Sequence, residues 1–100
     1  MAELYWAAHE YELSPAAEDI GDVYGAIAQS MQQHGWAGVQ HGSDVHGYKP
    51  GIDLFASVLY LYISGSTFWQ IIMVGGDATA AQAQQEIQAL QTIINNLAFL

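Results

Sequence analysis

Four side chains able to hold a metal ion or move a proton gather in one stretch of the chain: His34, His41, Asp44 and His46. Imidazole and carboxylate are ligands that zinc, nickel and copper accept. His41, Asp44 and His46 stand close enough in sequence to share one ion. Their spacing matches no ligand pattern of fixed geometry, and the flexible glycines around them do not preorganise a site. Solvated loop histidines are the plainer expectation. Asp44 with His46, or His9 with Glu10, also has the groups for general acid–base chemistry. Four imidazoles among ten carboxylates can in addition form a switch near neutral pH.

The remaining catalytic inventory is thin. The chain has no cysteine, which removes thiol nucleophiles, thiolate metal sites and disulfides. None of its serines sits in a nucleophile-elbow sequence. Lys49 is the only lysine or arginine, so little is available to stabilise a developing oxyanion or phosphate. Gly75-Gly76-Asp77 lacks the further glycines and the lysine of a phosphate-binding turn, and puts a carboxylate where the anion would sit. The expectation is a protein without catalysis and without a cofactor.

Charge narrows the partners. Ten acidic residues oppose one cation, and only 11% of the chain is charged, against about a quarter in ordinary domains. Such a chain cannot neutralise a phosphate backbone or hold to an anionic lipid surface, so neither nucleic acid nor membrane is expected. Glu10, Glu12, Glu18, Asp19 and Asp22 concentrate acid near the start. They read first as charge that keeps an apolar chain in solution, and second as a patch that steers a basic protein. No apolar run approaches the roughly 18 residues of a membrane span, and no basic-then-apolar leader opens the chain. A cytoplasmic protein is the default expectation, with residues 1–100 as one domain.

Periodicity predicts the elements that position these groups. Residues 3–13 read as a strand, because a helix start follows them: Ser14 as N-cap, Pro15 at the first helical position, and acid at the positive end of the helix dipole. Ile20, Val23, Ile27 and Met31 recur at helical spacing, and Gly35 terminates the run. Residues 36–51 predict a short strand over 36–40 and then a long glycine-rich loop. A second helix starts at Asp77 or Thr79, where Thr79-Ala80-Ala81-Gln82 has capping-box form. It carries a narrow apolar stripe from Ala80 to Leu97 and an amide-rich opposite face of seven Gln and Asn residues.

Between them, residues 52–75 predict a β-hairpin of β-branched and aromatic residues turning at Gly65-Ser66. With that loop, Tyr62 pairs with Trp69, Tyr60 with Ile71 and Val58 with Met73. Alternation then places Tyr60, Tyr62, Trp69, Ile71 and Met73 with Val58 on one face. Leu59, Leu61, Ile63, Phe68, Ile72 and Val74 share the other with Gln70. Both faces are apolar, and both require cover.

The order β-α-β-β-β-α, of the ferredoxin-like type, defines an α+β two-layer sandwich: an antiparallel sheet with two helices on one face. The second face then needs another occupant. The functional expectation is a non-catalytic interaction or assembly module that self-associates, as a dimer first, through the Tyr60/Tyr62/Trp69 face, with a basic protein as a second kind of partner. One alternative is a small apolar or aromatic ligand-binding protein, or a cofactor-free enzyme using the 41–46 loop. A structural subunit of a filament or shell is a third.

Overall fold

The structure, a computed structural model, describes residues 3–12, 20–65 and 67–97. In chain order it comprises β1 (Glu3–Glu12), α1 (Ile20–Gln33), β2 (Ala37–His41), β3 (Val45–Lys49), β4 (Leu54–Ser64), β5 (Thr67–Gly76) and α2 (Ala80–Asn95). The strands form one sheet in the order β1-β5-β4-β3-β2, with every neighbouring pair antiparallel. β2 to β5 make a meander, β1 lies beside β5, and α1 carries the chain from one edge of the sheet to the other. Both helices pack on the same side. The fold is an α+β two-layer sandwich.

Local chemistry explains the helices. α1 buries Val23, Tyr24, Ile27, Ala28 and Met31. It stops at Gly35, which takes a φ of +91°, a conformation open to glycine at little cost. His34 Nδ1 lies 2.7 Å from the Ser30 carbonyl, where an N–H satisfies an orphan acceptor of the last turn. The expected cap at Ser14 and Pro15 lies outside the described residues. In α2 both halves of the capping box are present at Thr79 and Gln82. Its buried stripe is Ala83, Ile87, Leu90 and Ile94.

The glycine-rich segment is not a loop throughout, because Val45–Lys49 forms β3 and brings the order to β-α-β-β-β-β-α. Gly47 explains why the strand is hard to read. A Cβ there would lie 3.1 Å from Val39 Cγ2 and 3.5 Å from Met31 Cε. The residue that suggests a turn is a mid-strand glycine over which α1 and β2 close.

The hairpin differs from expectation by one register step. Ser64 does pair with Thr67, and Gly65 has the expected positive φ, +55°. Tyr62, however, pairs with Phe68, Tyr60 with Gln70 and Val58 with Ile72. Ile63 is an extra residue, a bulge that sets two positions of β4 against one of β5. Because side chains alternate, a one-residue slip moves a strand's whole set to the other face. Val58, Tyr60 and Tyr62 therefore share a side with Phe68, Gln70, Ile72 and Val74, while Leu59 and Leu61 share a side with Trp69, Ile71 and Met73.

The core lies between helices and sheet, built on Val23, Ile27, Met31, Leu54, Val58, Ile72, Val74, Leu90 and Ile94, all fully buried. Lys49 crosses the layers to Glu86 of α2, Nζ to Oε2 3.0 Å, with its ammonium 5.4 Å from the centre of the Trp36 ring. At the far end of β5, Gly76 has a φ of +150°, and a Cβ there would overlap the Asp53 carbonyl oxygen. Gly76→Ala is therefore expected to cost about 3 kcal/mol or more, whereas Gly42→Ala, in open space, stays within about 0.5 kcal/mol. Denaturant titration of the two variants against the parent chain checks the difference.

Candidate interaction face

The side of the sheet away from the helices is the candidate site, and strand register determines what it presents. Leu4, Gly75, Phe55, Tyr48 and Ala37 form one row across all five strands. Trp6, Met73, Ser57, His46 and Gln40 form the next. Further rows bring Ala8, Ile71 and Leu59 together, then Glu10, Trp69 and Leu61. Leu4 is 65% exposed, Trp6 64%, Phe55 58%, and Leu61 and Trp69 48% each. Soluble monomers rarely leave so many large apolar side chains in one contiguous patch.

Of the five residues expected to make this face, Trp69, Ile71 and Met73 lie on it. Tyr60 does not, because the register places it under the helices. Its backbone N–H donates to Tyr24 Oη at 3.0 Å and its own hydroxyl accepts from Gln70 Nε2 at 2.9 Å. The rings of Tyr11, Tyr24 and Phe68 surround it at centroid distances of 6.0–6.3 Å. Burial raises its hydroxyl pKa far above the ordinary tyrosine value. Tyr62 also belongs to the helix side but lies beyond the helices. Its ring meets Phe68 edge-on, and its hydroxyl accepts from the Gly65 N–H at 3.1 Å.

Leu4, Trp6, Phe55, Leu59 and Leu61 complete the open face in place of the two tyrosines. Their signal was present as alternation in β1 and β4, but alternation alone does not say which parity faces helices. Periodicity also could not show that β1 would lie beside β5.

The expected metal ligands diverge. His41 pairs with the buried Val45, and its ring lies 4.0 Å from where a Gly25 Cβ would be, on the helix side. His46 pairs with Ser57 and stands on the open side. Among the described residues no three His, Asp or Glu side chains converge on a metal position. Asp44 does hold a small network: Ser57 Oγ donates to Oδ2 at 2.6 Å, and His46 Nδ1 lies 3.3 Å from Oδ1. A nucleophile–base relay needs the imidazole between hydroxyl and carboxylate. Here the carboxylate stands between them, so the imidazole is not the serine's partner, and the arrangement ties the β2–β3 turn to β4.

The acidic residues likewise separate. Glu10 and Glu12 lie at one end of the open face, where Trp69 Nε1 donates to Glu10 Oε1 at 3.5 Å. Asp22 is exposed on the first turn of α1. Glu18, Asp19 and the His9 side chain lie outside what the structure describes. No described helix is long and apolar enough to cross a membrane.

At the Leu4–Phe55 end the open face sinks into a groove of about 700 Å³. Comparison with protein-family models, curated proteins and solved structures finds no match to this chain. The reading of its function therefore rests on its own side chains.

The buried Tyr60–Gln70 pair sets up a test of the register. Tyr60→Phe and Gln70→Leu should each cost about 1–2 kcal/mol, since each leaves a buried polar partner unmatched. The double variant should cost less than their sum, read in a double-mutant cycle. Because the folded state holds the Tyr60 proton above the ordinary value of 10.0, that contribution is present below pH 10 and is lost as pH rises past it. Tyr60→Phe should flatten the alkaline fall in stability.

Proposed function

We propose that this protein is a non-catalytic assembly module whose open sheet face packs against the same face of a second copy. One observation carries the reading: both helices cover one side of the sheet, and the other side presents Leu4, Trp6, Phe55, Leu61 and Trp69 to solvent. A self-complementary apolar patch is most simply covered by an isologous, two-fold contact. At about 4.8 Å between strands and about 3.3 Å per residue, the face has a footprint of roughly 650 Å². Stable interfaces bury roughly 600–1,000 Å² per partner, so the whole face is needed and suffices.

Charge fits the same occupant. The centre of the face is neutral, with Glu10 and Glu12 at one end and Asp53 and Asp77 at the other. Two copies with a net charge of −9 repel at long range, and salt screens that repulsion. A basic protein partner, the second reading, would be held by the same charges and loosened by salt. The direction of the salt effect separates the two.

Sedimentation should show a dimer at micromolar concentration that tightens as ionic strength rises from about 0.02 M to about 0.5 M. Leu61→Glu with Trp69→Glu should abolish it, since the pair places two carboxylates in the apolar contact beside Glu10, and loss of a buried tryptophan anchor alone costs about 2 kcal/mol or more. The circular dichroism of the helices should not change. A parent chain that stays monomeric at every concentration and salt level removes this reading.

A further inference from the structure

The groove on the open face has a chemistry of its own, and we propose that it is a binding site for a small apolar amine, with the hydrocarbon or aromatic body lying on Gly75 and the ammonium directed to Asp53 and Asp77. The floor follows from register. Gly75 stands in one cross-strand row between Leu4 and Phe55 and has no side chain, so the two flanking side chains become walls. Met73 lies in the next row of the same strand. Tyr48 packs beside Phe55 at a centroid distance of 4.8 Å. The volume, about 700 Å³, is in the range of small-molecule sites, roughly 300–1,000 Å³.

The polar end is built rather than incidental. The Asp77 N–H donates to the Asp53 carbonyl at 3.4 Å, which holds the two acidic residues together. Gly76 lets that carbonyl approach, as no residue with a Cβ could. Tyr48 Oη donates to Asp53 Oδ1 at 3.3 Å. Both Asp53 and Asp77 line the groove. Among the described residues no cation neutralises them: Lys49, the chain's one lysine, extends to the other layer and pairs with Glu86. An anionic amphiphile would meet two carboxylates and a net charge of −9. An ammonium meets complementary charge and, beside Phe55 and Tyr48, aromatic faces that attract cations.

The occupant thus differs from a second copy of the chain, and its binding does not require the dimer. The test titrates the full chain with 2-phenylethylamine, 3-phenylpropionate and 2-phenylethanol, following amide shifts by NMR. It is run on the parent chain and on the Leu61→Glu, Trp69→Glu variant, whose changes lie outside the groove. The amine should bind the dissociated variant saturably, moving Phe55, Met73 and Gly75, with the carboxylate weaker by about tenfold or more. It should bind the parent chain less tightly to the extent that the second copy covers the groove. Asp53→Asn with Asp77→Asn should bring the amine close to the alcohol, and Phe55→Ser should weaken both. Amine binding confined to the dissociated variant also supports the site, with the second copy as its competitor. The proposal is overturned if neither chain binds the amine up to about 10 mM, if amine and carboxylate bind alike, or if the asparagine variant keeps the preference.

Discussion

A sheet has two sides, and the described helices cover one. That shortage governs the rest of the structure. Each of the long strands β4 and β5 is apolar at nearly every position, so neither face can be solvated in the ordinary way. Ile63 decides which set is enclosed. By adding one residue to β4 near the turn, it aligns Tyr60 with Gln70 and Val58 with Ile72, and it turns Leu61, Trp69, Ile71 and Met73 outward together. The interior then accepts two polar side chains of the hairpin, Tyr60 and Gln70, joined by one hydrogen bond from Gln70 Nε2 to the Tyr60 hydroxyl, while Gln70 Oε1 stays buried without a partner among the described residues. On β1, β5 and β4 the exterior's central rows carry Ser57 as their one polar side chain.

Elements whose signals are local are legible in the sequence. The Thr79–Gln82 box, the Gly35 stop, the 3.6-residue stripes of both helices and the Gly65 turn each depend on residues within four positions of one another. The α+β class followed from them, since two amphipathic helices and an apolar hairpin have few ways to bury their faces. What escaped was set by distant contacts or by a single inserted residue. Gly47 signals a turn by composition and serves in β3 because Val39 and Met31 need the space. Nothing in Leu-Tyr-Ile-Ser-Gly marks Ile63 as the bulge, yet the bulge reassigns every side chain of β4. The candidate face was therefore half legible: an open apolar side was expected, with the correct members from β5 and the wrong parity from β4.

The histidines show the same limit. His41 and His46 are five positions apart and suggest a shared site, but they belong to neighbouring strands and emerge on opposite sides of the sheet. Asp44 is left with Ser57 and His46, where it works as a fastening for the turn. Proximity in sequence carries little information about convergence when a hairpin lies between the two residues.

The Lys49–Glu86 pair has a practical corollary. Lys49 is the one side-chain amine in the molecule, it is three-quarters shielded between β3 and α2, and the bond that follows it leads into Pro50. Trypsin cleaves poorly before proline, so resistance to that protease says nothing about whether this chain is folded. Acylation of the Lys49 amine, by contrast, is slowed by its ion pair with Glu86 and by the packing of α2 over its stem. The rarity of cations makes that single nitrogen a reporter of how tightly α2 holds to β3.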